Sequence, residues 1–92
     1  MSVARITIVK FKSQEAADKA AESYTTNAPS EFPEAEQLIG LQSDDNTLLA
    51  VSLYENQEAM ERADAARDKR MSNPEIASID TFVGAVRLNH SS

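Results

Sequence analysis

Apolar residues recur along the chain in two rhythms, one of period two and one near 3.6, and the switches between them mark out the elements. Val3 to Lys12 is rich in Val, Ile, Thr and Phe and reads as a strand. Ile6 and Ile8 point one way; Val3, Val9 and Phe11 point the other. Ser13 then offers a helix N-cap, with Glu15 in the first turn, where the helix dipole favours an acid. Ala17, Ala20, Ala21, Tyr24 and Ala28 follow at helical spacing. Pro29 is expected to close this helix, because the residue before a proline avoids the α region. Residues 25–34 (TTNAPSEFPE) are expected to form a loop with two prolines and Phe32. Ala35 to Gln42 is the second strand and Thr47 to Tyr54 the third. The short polar turn Ser43-Asp44-Asp45-Asn46 makes them an antiparallel hairpin. Leu49, Val51 and Leu53 share one face of the third strand; Leu48, Ala50 and Tyr54 share the other.

Asn56 caps a second helix whose inward stripe is Ala59, Met60, Ala63 and Ala66. Glu15 with Lys19, Glu58 with Arg62, and Asp64 with Arg67 have the spacing of solvated surface pairs. A further short helical turn is expected from Pro74, held to the core by Ile76 and Ile79. The last strand is expected over Thr81 to Asn89, with a loose tail after it. Each half therefore echoes strand–helix–strand. That is the pattern of a ferredoxin-like βαββαβ fold, an α+β class with an antiparallel sheet and both helices on one face. The other face is then left open, yet every strand carries apolar residues on both sides. An apolar surface of that size binds a partner, and the simplest partner is a second copy about a two-fold axis. The expected assembly is a homodimer packed sheet face to sheet face, a dimeric α+β barrel.

Length and charge narrow this picture further. Residues 1–92 suffice for one domain, which buries only about 60–65% of its unfolded surface. The alanine-rich stripes let helices approach the sheet but bury little area. No cysteine is present, so disulfides and thiolate chemistry are excluded. The opening MSVARITIVKFK lacks a signal-peptide layout and no segment approaches a membrane span, so a cytoplasmic protein with no membrane partner is expected. Asn89-His90-Ser91 matches a glycosylation sequon, read as chance in that setting. The net charge is −6, divided −4 and −2 between the halves 1–46 and 47–92. The one basic group, Arg67, Lys69 and Arg70, is flanked by acids, so nucleic acid is not an expected partner.

Few residues offer chemistry. His90 is the lone histidine and sits near the chain end, where it is either solvated or clamped by a partner chain. Tyr54 ends a strand beside the second helix, where a cleft between sheet and helices would open. It either orients a bound hydroxyl or carbonyl, or sits at the core edge with its own hydroxyl in water, and Tyr24 carries the same two readings. With the first and last strands central, Arg5 and Arg87 are expected to share a sheet face, suited to an anionic ligand or to an inter-subunit salt bridge. Asp44 and Asp45 lack the alternation and glycine of a calcium loop. Gly40 and Gly84 read as bulges or close backbone approaches, and no glycine-rich phosphate motif exists.

The element order, the length and the two-sided strands resemble the dimeric α+β barrel superfamily, in particular the antibiotic biosynthesis monooxygenase-like domains. The resemblance runs from Val3 to about Leu88 and is carried most by LLAVSLYENQEAMERADAARDKRMSNPEIASI, a third strand, an aromatic residue, a polar-capped helix and a turn into the last strand. It implies a monooxygenase or isomerase that needs no cofactor or metal and acts on a small aromatic or apolar molecule between sheet and helices. In that reading Tyr54 is catalytic, and Tyr24, Arg5 and Arg87 bind substrate. The sequence departs from the family at two places. Tyr54 stands where relatives often have tryptophan. Ala63 and Ala66 stand nearest to where many have a helix histidine, the iron ligand of haem-degrading members, so haem degradation is not expected. The other reading is a non-enzymatic dimeric ligand-binding or interaction module.

Overall fold

In the computed structural model, residues 1–91 are described. The chain runs β1 (Val3–Phe11), α1 (Gln14–Glu31), β2 (Ala35–Asp44), β3 (Thr47–Tyr54), α2 (Gln57–Arg62), α3 (Asp64–Met71) and β4 (Ile76–Ala85). The four strands form one antiparallel sheet in the order β2-β3-β1-β4. This is the expected ferredoxin-like α+β arrangement. The central strands are β1 and β3, however, and not the first and last strands as expected. β4 pairs with β1 alone and is an edge.

Both caps form as read. The Ser13 hydroxyl accepts from the Ala16 N–H at 3.1 Å, and the Asn56 side chain accepts from the Ala59 N–H at 2.8 Å. β2 runs to Asp44 rather than Gln42, which leaves only Asp45 and Asn46 between the hairpin strands, and three larger differences from expectation follow. First, α1 does not stop at Pro29 but continues to Glu31. Proline at this point sacrifices one backbone bond. Ala28 and Phe32 bury themselves on either side of it, and the Phe32 N–H bonds the Ala28 carbonyl at 2.9 Å. The Arg70 guanidinium also grips Glu31 with two bonds of 2.6 and 3.2 Å. Packing at the end of the helix thus outweighs the proline's local preference.

Second, the second helix is two pieces that meet at Ala63, whose φ of −86° and ψ of −8° lie at the margin of helical space. Third, no helical turn follows Pro74. The Asn73 side chain accepts from the Glu75 N–H at 2.9 Å, an Asx turn that uses proline as a turn residue, and β4 begins at once with Ile76. The last strand therefore starts five residues earlier than expected and ends at Ala85. Ile79 lies within it opposite Val9, and is partly exposed rather than an anchor of a helical turn.

The helices cover the sheet face that carries Val3, Arg5, Thr7, Val9 and Phe11 of β1. The core on that face is divided. One cluster gathers Tyr54, Phe32, Ala28, Ala59, Met60 and Ala63 at one end. The other gathers Val9, Phe11 and Ala17, with Leu48, Met71 and Ile76 packed against them, at the opposite end. On the uncovered face the register aligns Ile6 with Val51 of β3 and Phe82 of β4, and Val51 with Ile39 of β2. Ile6, Ile39, Leu41 and Phe82 are exposed there, the last to 58%.

Candidate functional site

Between the two clusters the inner sheet face carries small side chains. Thr7, Gly40, Ala50 and Ser52 line the floor, and Ala20 and Ala21 of α1 face them. Close-packed interiors leave few voids larger than a water. Here the small side chains do not fill the space, and an open cleft of about 1030 Å³ remains between the sheet, α1 and α3. Its size suits a small organic molecule.

Two tyrosine–arginine pairs flank this space. Tyr54 is fully buried. Its hydroxyl accepts from an Arg5 Nη at 3.4 Å, and the Arg5 guanidinium lies 5.7 Å from its ring centre. The hydroxyl is therefore in protein rather than in water, and it is Arg5 that lines the cleft. Arg5 is itself buried and paired with Asp64 at 2.7 Å. Tyr24 does line the cleft. The Arg70 guanidinium sits 5.4 Å from its ring centre. Burial pushes the Tyr24 phenol above its ordinary pKa, outweighing the Ser52 hydroxyl and the Arg70 charge that pull it down. Gly40 has a specific role beside it. A Cβ at that position would lie 3.2 Å from Tyr24 Cε2, so glycine makes the room for the ring. Gly84 faces open space and has no such neighbour.

A third arginine, Arg67, also lines the cleft, a role not assigned to it from the sequence. Arg67 does not pair with Asp64, which serves Arg5 instead. Its Nη donates to the Thr81 hydroxyl at 2.6 Å and to the Thr7 hydroxyl at 3.3 Å, and it lines the cleft. Burial, and then the neighbouring Arg5 charge, hold its pKa below the usual arginine value. The signal for Arg67 and Arg70 was present: they follow the inward Ala63 and Ala66 at helical spacing, so they share the face turned to the sheet.

Among the residues expected to bind substrate, Arg5 and Tyr24 come together in the cleft. Arg87 does not. It lies exposed beyond the end of β4, away from the lining residues, because that strand stops at Ala85. His90 is exposed near the chain end. Ala63 is buried at the helix junction. Among the described residues no three His, Cys, Asp or Glu side chains converge as a metal site would require, and no helix is long and apolar enough to cross a membrane.

No family model matches the sequence, and neither does any curated protein. Solved structures do match the fold over the whole chain. A Chloroflexus aurantiacus protein assigned by name to the antibiotic biosynthesis monooxygenases has a TM-score of 0.78 at 11% identity, covering 99% of this chain and 98% of its own. A dimeric ferredoxin-like protein from an uncultured marine organism gives 0.78 at 11% identity, covering 99% and 92%. SnoaB of Streptomyces nogalater, a cofactor-independent oxygenase, gives 0.66 at 13% identity, covering 96% and 95%. At such identities the likeness is one of fold, and it agrees with the resemblance read from the sequence.

Proposed function

We propose that the cleft binds a small aromatic molecule and that the protein is a cofactor-independent monooxygenase, or an isomerase, acting on it. The observation that carries this reading is the convergence of one phenol and three guanidinium groups on a cleft whose floor and facing helix carry small side chains. SnoaB supports the choice of chemistry by likeness of fold. The reaction class makes sense without a reductant. Oxidation of an activated ring CH₂ to C=O puts one oxygen atom into the product and releases the other as water, using the two hydrogens of that CH₂. What the protein must do is favour the deprotonated, electron-rich form of the substrate that reacts with oxygen. Preorganised cationic groups facing the site stabilise that anion. In this reading Arg5 and Tyr24 face the developing oxyanion, and Tyr54 acts as a positioning residue that keeps Arg5 in place.

The same fold likeness supports a homodimer through the uncovered sheet face, since one match is a dimeric ferredoxin-like protein. The second reading, a binding module without catalysis, is favoured by one observation: Tyr54, the phenol expected to be catalytic, does not line the cleft. Oxygen uptake separates the two readings. Polycyclic phenols that raise the melting temperature should be consumed in air with no added cofactor, and Tyr24→Phe should slow the turnover by about 10²-fold. Phenols that bind tightly, yet are neither oxidised nor isomerised above the uncatalysed rate, would establish the binding module.

A further inference from the structure

The cleft is charged against the trend of the chain. The protein has 9 basic and 15 acidic residues. Five of those cations line the cleft: Arg5, Lys19, Arg67, Lys69 and Arg70. Only two acids do, Glu31 and Glu75, and Glu31 is taken up by Arg70. A cleft with an excess of cations inside a protein of net negative charge concentrates anionic ligands.

The three arginines are not equivalent. Arg5 has Asp64 and Arg70 has Glu31, each within a salt bridge. Arg67 has no carboxylate within 4.0 Å among the described residues, and its two bonds are to neutral hydroxyls. Its Nε is buried and bonds to nothing. A buried donor left unsatisfied is costly, and a charged one more so. Thr7 on β1 and Thr81 on β4 meanwhile hold one Nη of the same guanidinium against the sheet. The other Nη makes no hydrogen bond to protein among the described residues, so the guanidinium is a preorganised cation with one terminal nitrogen left for a ligand.

We propose that the cleft selects an anionic ligand, an aromatic carboxylic acid whose carboxylate docks on Arg67 while its ring lies over the small side chains of the floor. The proposal rests on the small-molecule reading above and adds the ligand's charge and the residue that recognises it. A planar guanidinium matches a planar carboxylate. The floor itself carries small side chains and no cation, so it gives a flat ring room to lie and offers the further oxygens of a phosphate no charge partner. An arriving carboxylate also relieves the repulsion that Arg5 exerts on Arg67.

The test is a set of matched pairs, benzoic, naphthoic and anthracene-carboxylic acids beside their primary amides, measured by calorimetry and thermal shift at neutral pH in chloride buffer. At least one acid should bind roughly 10–100-fold more tightly than its amide, the range of a hydrogen bond to a charged group. That preference should shrink as salt is raised. Arg67→Gln should make acid and amide equal, and Arg67→Lys should restore part of the difference, with circular dichroism confirming that both variants fold. If amides bind as well as acids, or if Arg67→Gln leaves the preference intact, the anion assignment is overturned while the cleft stands as a binding site. If no member of any pair binds, the small-molecule reading falls together with it.

Discussion

At the scale of single residues, the site depends on a buried cation whose partner is only half covered. Arg5 is buried, whereas the Asp64 side chain keeps 50% of its surface in water. Removing one member of a fully buried pair costs about 3–5 kcal/mol, and the exposure of Asp64 discounts this. Asp64→Asn is expected to lower stability by about 1–2 kcal/mol in urea melts. Tyr54→Phe keeps the ring that fills the core and removes only a long hydrogen bond, so the loss should stay within about 1 kcal/mol. If Tyr54 positions Arg5, that variant should still weaken ligand affinity. Unchanged affinity would confine Tyr54 to packing. Gly40→Ala tests the close approach of Tyr24. The added methyl meets an aromatic ring in contact with Arg70 on α3, which limits how far the ring can retreat. About 1–3 kcal/mol of destabilisation is expected, read as a fall in melting temperature.

At the scale of elements, Pro29 gives the sharpest test. It stands inside α1 without an N–H to offer. Pro29→Ala returns one backbone bond to the last turn and should raise stability by about 1 kcal/mol, less than the ~3 kcal/mol scale of a mid-helix proline because the end of a helix bears less of that cost. A fall in stability would mean that the proline ring itself packs in a way no alanine can replace. This element also marks how far the sequence could be read. Caps and strand faces were legible because they depend on neighbours in the chain: Ser13, Asn56 and the alternation of β1 and β3 all behave as local chemistry dictates. The continuation of α1 was not, because it rests on Arg70, nearly forty positions away. Arg67 was misassigned for the same reason. Its i,i+3 neighbour Asp64 looked like a partner until Arg5, on a distant strand, claimed that carboxylate. The placement of Arg5 and Tyr24 in one cleft was within reach of pattern; the exclusion of Arg87 required knowing where β4 ends.

At the scale of the molecule, the divided core leaves few large buried side chains, and the uncovered sheet face holds much of the remaining apolar surface. Two chains joined by that face are expected in sedimentation at micromolar concentration, and Phe82→Asp, on its exposed surface, should return single chains. A wild-type mass of one chain would discard the homodimer. The strand order has one more consequence, which concerns synthesis. β1 lies between β3 and β4, so its hydrogen bonds on one side are made by the last strand the ribosome delivers. Until then β1 presents a bare edge, with Ile6 and Ile8 beside it, and such an edge is a template for pairing with other chains. A chain cut short before Ile76 should therefore collect in inclusion bodies or on chaperones, even though all three helices and the hairpin are already encoded.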